Sequence, residues 1–395
     1  MGTFYAYNEK YAGKCYWTEK RSRVTGVFTY DDDYLSGREN WNIDPALSLT
    51  TGAQTSKKGL PGAFRDAAPD RWGQTLIQHR YLRENKEEGR RLRTLNEIDY
   101  LLGVSDSARQ GDLRFSLEKG GAFMHPSNDI PKLVSLPKLL GAAHRYTMEQ
   151  DESAIIYLID AGSASLGGAR PKAAVIDEDD LYIAKFPHRL DKWDVMAWEW
   201  VALCIAAEAG IAVPENRLVS IDGQNVLLVK RFDRTAGKRI AYISAMTLLG
   251  LTDGEQADYS EITEKLRGVS ICVKDDLLEL FRRIALSLMI NNTDDHLRNH
   301  GLIRFGSGWR LSPAFDINPN PDPASIRGTS VFAELEKHPA LSALAENAHA
   351  FDISSEYAVK ILSEVSSAVK ASEKYAVRAG INKAEREMMI RCFSS

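Results

Sequence analysis

Asn291-Asn292-Thr293-Asp294-Asp295-His296-Leu297-Arg298-Asn299, followed by Phe315-Asp316, is the stretch on which the reading of this chain turns. An aspartate, an asparagine five residues on and a second aspartate about a hairpin later form a phosphoryl-transfer pattern. In that pattern the first carboxylate, Asp294, orients and deprotonates a hydroxyl. The Asn299 oxygen and the Asp316 carboxylate hold Mg²⁺ against nucleotide phosphates. The plainer reading is a capped turn between a helix and a strand, where Asx residues are common. Three features favour chemistry: the carboxylates gather at the mouth of a buried helix, the next hairpin returns Asp316 to them, and His296 shares the loop. Charges clustered beside a core helix cost stability unless paired or metal-bound.

Around this stretch the periodicity is helical before it and strand-like after it. Leu277, Phe281, Ile284 and Leu288 recur at helical spacing over 275–292, with Leu278 and Ala285 widening the stripe. Leu302 to Phe305 and Trp309 to Leu311, joined by Gly306-Ser307-Gly308, predict a hairpin. The Ala-rich segment 340–395 reads as helical.

Upstream, Gly162-Ser163-Ala164-Ser165-Leu166-Gly167-Gly168-Ala169-Arg170-Pro171-Lys172 is a small-residue loop that opens into a strand. It is no Walker sequence, because no Ser or Thr follows Lys172 at a helix start. A flap over phosphates fits, with backbone N–H groups facing the nucleotide. Ser163 and Ser165 are turn formers by default; beside a γ-phosphate they are candidate phosphoacceptors. Ala173 to Ile176 and Leu181 to Phe186 predict a hairpin turning at 177–180. Strand alternation places Lys185 on one face with Leu181 and Ile183, expected to be inward. The helix predicted over 194–209 carries Glu199 between Trp198 and Trp200, a counter-ion for Lys185. A lysine merely snorkelling at a strand end is the alternative.

Residues 1–60 suggest short strands and turns, and 61–115 read as helical around a loop at Pro69-Asp70-Arg71-Trp72-Gly73. The charged run Arg83 to Arg93 mixes acids with bases and reads as a solvated helix or loop. A connection spans 116–137, and Val226 to Phe232 forms another strand.

The chain has 395 residues, enough for two or more folding units. A formal net charge of −4 argues against strong unaided nucleic-acid binding. Cys15, Cys204, Cys272 and Cys392 form no CxxC pair, so a reduced, cytoplasmic protein without structural zinc is expected. Neither a signal peptide nor a membrane span is predicted.

Taken in order, the motifs resemble the HipA family of serine/threonine kinase toxins from bacterial toxin–antitoxin modules. The residues that carry the likeness are Ser165 to Lys172, Ile183 to Pro187, Glu199, Val229 to Arg234, Thr293 to Asn299 and Ser312 to Ile317. Leu60 to Gly73 and Leu101 to Phe115 resemble the family's N-terminal subdomain. The resemblance implies an α+β, bilobal protein-kinase-like fold, with a small mixed N-terminal β-rich subdomain and a mainly helical C-terminal lobe. The expected division is 1–120 for that subdomain, 121–152 for a connection, 153–232 for the kinase N-lobe and 233–395 for the helical C-lobe.

It further implies Asp294 as catalytic base, with Asn299 and Asp316 on Mg²⁺. ATP would meet Gly167, Gly168, Ala169, Arg170, Pro171, Lys172, Lys185 and Glu199. It would also meet the hinge Lys230, Arg231 and Phe232, and beyond it His296, Leu297, Arg298, Asn299, Phe315 and Asp316. Ser165 matches the inhibitory autophosphorylation serine, and Ser163 gives the Ser-x-Ser form. At Arg170-Pro171 the loop departs from other members, where a polar or acidic residue is expected; Pro171 stiffens it. The implied partners are a HipB-like helix-turn-helix antitoxin, DNA through that antitoxin, and a protein substrate, among family members an aminoacyl-tRNA synthetase. The competing readings are a small-molecule or lipid kinase and a nucleotide-binding corepressor without kinase activity.

Overall fold

Phe4, Ala6 and Asn8 alternate inward along the first strand, and Val24, Phe28 and Tyr30 do the same on the third. Such period-2 burial makes a sheet with one packed face. Its strand order is Gln54–Thr55, Arg23–Tyr30, Lys10–Lys20, Gly2–Asn8, Leu113–Ser116, each neighbour antiparallel. Phe64, on the short helix Gly62–Asp66, is fully buried against it. Its ring meets Phe4, Phe28 and Phe115 edge to face, at centroid distances of 5.7, 5.6 and 5.3 Å. Edge-to-face geometry matches the positive rim of one ring to the negative face of the next.

The computed structural model describes residues 1–21, 23–56, 58–125, 130–149, 151–163, 168 and 170–394. They divide into two units, Met1–Leu190 with Asp233–Ile243, and Asp191–Phe232 with Ser244–Ser395.

In the first unit, the hairpin Lys172–Asp177/Asp180–Lys185 pairs as the sequence predicts. A further two-stranded piece, Arg234–Thr235/Lys238–Arg239, belongs to the same unit. Asp233 Oδ2 accepts from Gly111 N at 2.7 Å, and Arg234 donates to Arg109 O at 2.6 Å. Arg239 donates to Asp106 O at 2.5 Å. Three differences from the sequence expectation appear here. Arg71, Trp72 and Gly73 open the helix Arg71–Glu87 rather than lying in a loop. Leu113–Ser116, within a stretch expected to be helical, is a strand, because Leu113 and Phe115 bury alternately against the first strand. Finally, Tyr182 and Ala184 form the buried face of their strand; Leu181, Ile183 and Lys185 share the half-buried one. Apolar character alone could not tell these faces apart, since both carry apolar residues.

The second unit is mainly helical. The helix Val195–Glu208 is buried almost all round, which its near-continuous apolar sequence dictates. In Val273–Met289 the predicted stripe Leu277, Phe281, Ile284 and Leu288 is wholly inside. Phe281 meets Phe351 edge to face at 5.2 Å. The hairpin Gly301–Phe305/Gly308–Leu311 forms as expected, and the strand expected over Val226 to Phe232 is Gln224–Lys230, paired in a hairpin with Asn216–Ile221. Four helices, from Lys337–Glu346 to Lys383–Ser394, complete the C-terminal part. Among the described residues no helix is long and apolar enough to cross a membrane.

Candidate active site

The helix Val273–Met289 ends at Ile290, and Asn291 then takes the left-handed conformation at φ 54°. Asparagine tolerates that region because its short side chain bonds locally. Here Asn291 Nδ2 donates to the carbonyls of Asn320 and Asp322, both at 2.9 Å. The reversal brings Asp294 to the surface of the turn that follows.

Asn299 sits in the single 3-10 turn Leu297–Asn299 and is only 8 % exposed. Its Nδ2 donates to Asp294 O at 3.2 Å, which closes the turn and leaves Oδ1 as the free acceptor end of the amide. Asp316 is half-buried and also left-handed, at φ 58°. For a non-glycine residue that costs on the order of 1 kcal/mol, and it persists where the surroundings over-determine it. Asn318 Nδ2 donates to Asp316 Oδ1 at 3.2 Å. Asn299 and Asp316 line one small pocket of about 20 Å³ together with Asn292, Asp295 and His300. An amide oxygen and a carboxylate are the hard donors Mg²⁺ takes, and that ion normally completes its shell with phosphate and water. The donor set therefore fits the ion.

Behind this surface lies a network the sequence did not single out. The Tyr259 hydroxyl donates to Asp295 Oδ2 at 2.6 Å, and His300 Nε2 lies 2.9 Å from Asp295 Oδ1. Burial alone would raise the Asp295 carboxyl. The His300 ring, with hydrogen bonds from His300, Tyr259 and Ser287, outweighs burial and holds it well below the usual carboxylate range. Arg327, itself buried, donates to Asn292 O at 3.1 Å. The one local signal was the Asp-Asp pair, of which Asp294 is exposed and Asp295 buried.

Other expected nucleotide contacts in this unit are placed as follows. Phe315 and Phe232 are ring neighbours at 5.5 Å and 36°. Lys230 N donates to Glu215 O at 2.8 Å and its ammonium lies 3.7 Å from Glu215. Arg231 is buried, and Glu199 is 2 % exposed on its helix. His296 is exposed and Leu297 buried. Arg298 is committed to Asp253, with Nε and Nη2 donating at 3.0 and 3.1 Å.

The first unit carries the loop side of the pattern. Gly168 N donates to Asp70 Oδ2 at 2.8 Å, and Gly168 O accepts from Trp72 N at 3.1 Å. Gly168 is left-handed at φ 91°, and a Cβ there would run into Lys172 Nζ. Asp70 caps its own helix start with no side-chain bond, because its carboxylate serves Gly168 instead. Trp72 Nε1 donates to Lys172 O at 3.3 Å. Asp70 and Trp72 are residues the sequence reading passed over as loop. Lys172 and Lys185 stand directly opposite in the hairpin register, which places two ammonium-bearing side chains side by side. Like charges there are unfavourable without an anion or acid to balance them. Pro171 is buried and its carbonyl accepts from Phe186 N at 2.9 Å; Arg170 is half-buried. Ser163 is fully buried, and its hydroxyl has no hydrogen-bond partner among the described residues. Ser165, Gly167 and Ala169 lie outside the described residues.

Comparison with known proteins gives two family matches, the HipA-like C-terminal domain over residues 164–372 and the HipA N-terminal domain over residues 6–99. A kinase-like protein of Sinorhizobium fredii is 28% identical over 134 residues, 30% of this chain and 32% of its own length. One from Haemophilus influenzae is 26% identical over 186 residues, 40% of this chain and 54% of its own. The chain thus spans about a third and about half the length of these curated relatives. Among solved structures, a complex of HipA, HipB and operator DNA from Shewanella oneidensis MR-1 superposes with TM-score 0.70. That match covers 99% of this chain and 95% of the other at 13% identity, a likeness of fold.

Proposed function

The chain belongs to the HipA family, and from that premise we propose that it is a serine/threonine protein kinase using ATP and Mg²⁺. The observation that carries the reading is the convergence of Asn299 and Asp316 on one pocket, next to a turn that leaves Asp294 exposed. Mg²⁺ would be held by Asn299 Oδ1 and the Asp316 carboxylate, and it supplies charge neutralisation at the phosphates. Asp294 accepts the proton of the attacking hydroxyl, for which exposure is required. Lys172 and Lys185 hold phosphate oxygens as a pair of point charges. Gly168 is pinned on both sides, its N–H by Asp70 and its carbonyl by Trp72 N, which holds the loop glycine in place ahead of Lys172.

The finer parts of the proposal follow the family likeness. The substrate is a serine on a cytoplasmic protein, by resemblance an aminoacyl-tRNA synthetase, and its phosphorylation arrests growth. A HipB-like antitoxin is the partner, as in the Shewanella complex, with DNA reached through it. Autophosphorylation at Ser165 or Ser163 switches the enzyme off by placing negative charge where ATP phosphates belong. Ser163, at 0 % exposure, must leave its buried position before it can accept phosphate.

The test is incubation of the full chain with labelled ATP and Mg²⁺, alone and with cell lysate, beside Asp294→Asn. Label entering protein with the wild type and not with the variant is the expected result. Label on a metabolite points to a small-molecule kinase, and no transfer at all sinks the proposal.

A further inference from the structure

We propose that Asp295 is a positioning residue for the neighbouring base Asp294, an inference that rests on the kinase reading above. The two adjacent carboxylates have opposite surroundings. Asp294 is exposed, whereas Asp295 is 6 % exposed and both its oxygens are engaged. Tyr259 donates to Oδ2 at 2.6 Å and His300 Nε2 sits 2.9 Å from Oδ1. The rings of Tyr259 and His300 meet edge to face at 5.4 Å, so each steadies the other. The backbone is fastened as well. Asp295 O accepts from Thr329 Oγ1 at 3.0 Å. Asn292 O, on the other side of Asp294, accepts from Arg327 Nη1 at 3.1 Å and Ser287 Oγ at 3.3 Å.

Asp294 is therefore held from both sides by fixed neighbours. Neighbouring Cα atoms are about 3.8 Å apart, so fixing Asp295 leaves Asp294 little beyond its own side-chain rotamers. A general base works only within hydrogen-bond reach of the proton it takes, and a misplacement of about 1 Å costs about a hundredfold in rate. Tyr259 begins the helix Tyr259–Val269, so this contact couples that helix to the catalytic turn.

The experiment uses the full chain with Asp295→Asn and Tyr259→Phe, and Asp294→Asn as the inactive reference. Phosphate transfer from labelled ATP-Mg is measured with amide hydrogen exchange. Expected is a rate loss of about a hundredfold for Asp295→Asn and about tenfold for Tyr259→Phe, with KM for ATP within about twofold. Exchange should quicken across 293–299 while amides 280–286 keep their protection. Unchanged rate per folded molecule overturns the proposal, as does exchange that quickens equally in both segments. If Asp295→Asn does not fold, Tyr259→Phe decides alone. If the wild type transfers no phosphate, the kinase reading falls, and the exchange contrast still decides whether Asp295 holds the turn.

Discussion

Gly168 N donates to Asp70 Oδ2 at 2.8 Å, a bond that joins the loop glycine to the start of a helix 98 residues earlier. A carboxylate accepting from a backbone amide is a charge-assisted bond, and it fixes the direction of the loop as it enters Lys172. With Trp72 Nε1 donating to Lys172 O, it ties the start of that helix to the loop through side chains that the local pattern gave no reason to notice.

Removing that bond should loosen the loop without unfolding the protein. Asp70→Ala is expected to cost about 1 kcal/mol, at the low end for a bond to a charged group because Asp70 is half-buried. ATP affinity should fall about fivefold. Thermal unfolding and an ATP titration check both. Affinity equal to wild type would separate the anchor from nucleotide binding.

Gly168→Ala should be worse tolerated. The residue sits at φ 91°, and its new Cβ would meet Lys172 Nζ. The expected cost is about 1–2 kcal/mol in denaturant unfolding, with a matching rise in KM for ATP. An unperturbed variant would mean that the loop adopts another path in solution.

The site residues should separate chemistry from stability. Asp294→Asn removes an exposed carboxylate and is expected to leave unfolding within about 0.5 kcal/mol while abolishing phosphate transfer. Asn299→Ala removes the proposed metal donor and the bond to Asp294 O, so activity should fall and the Mg²⁺ concentration for half-maximal rate should rise. A Mg²⁺ curve superimposable on wild type would exclude Asn299 as a ligand.

Asp112 supplies a pH dependence. Burial pushes its carboxyl up from 3.8 to about 7. The folded state then holds the proton more tightly than the unfolded state. Its contribution is fullest below about pH 4, falls as pH rises to about 7 and is level beyond. The interval corresponds to roughly 4 kcal/mol at most. Asp112→Asn should therefore be more stable than wild type at pH 8 and equal to it at pH 4. Melting temperatures of both proteins at the two pH values decide it; a constant difference would contradict the assignment.

Much of the fold was legible in the chain. The stripe Leu277, Phe281, Ile284 and Leu288 predicted a buried helix and is one. Glycines and acidic turn residues marked the hairpins, since few residues satisfy such turns. The pocket shared by Asn299 and Asp316 follows from a helix end, a short turn and a hairpin, each local in sequence. Less was legible where the answer depended on a remote partner. Arg298, expected at the nucleotide, is paired with Asp253, and a charged side chain's partner leaves no trace in its own neighbourhood. The face of Lys185 was misjudged because Leu181 and Ile183 are as apolar as the buried Tyr182 and Ala184.

The sequence by itself determined the helix and hairpins around the site, the order of the chemical groups and the family, because periodicity, turn chemistry and motif spacing are properties of adjacent residues. The tertiary structure alone decided which of Asp294 and Asp295 faces solvent, and that Asp70 rather than a loop residue holds Gly168. Both outcomes depend on partners 36 and 98 residues away, because a carboxylate goes inside only where hydrogen bonds offset its desolvation.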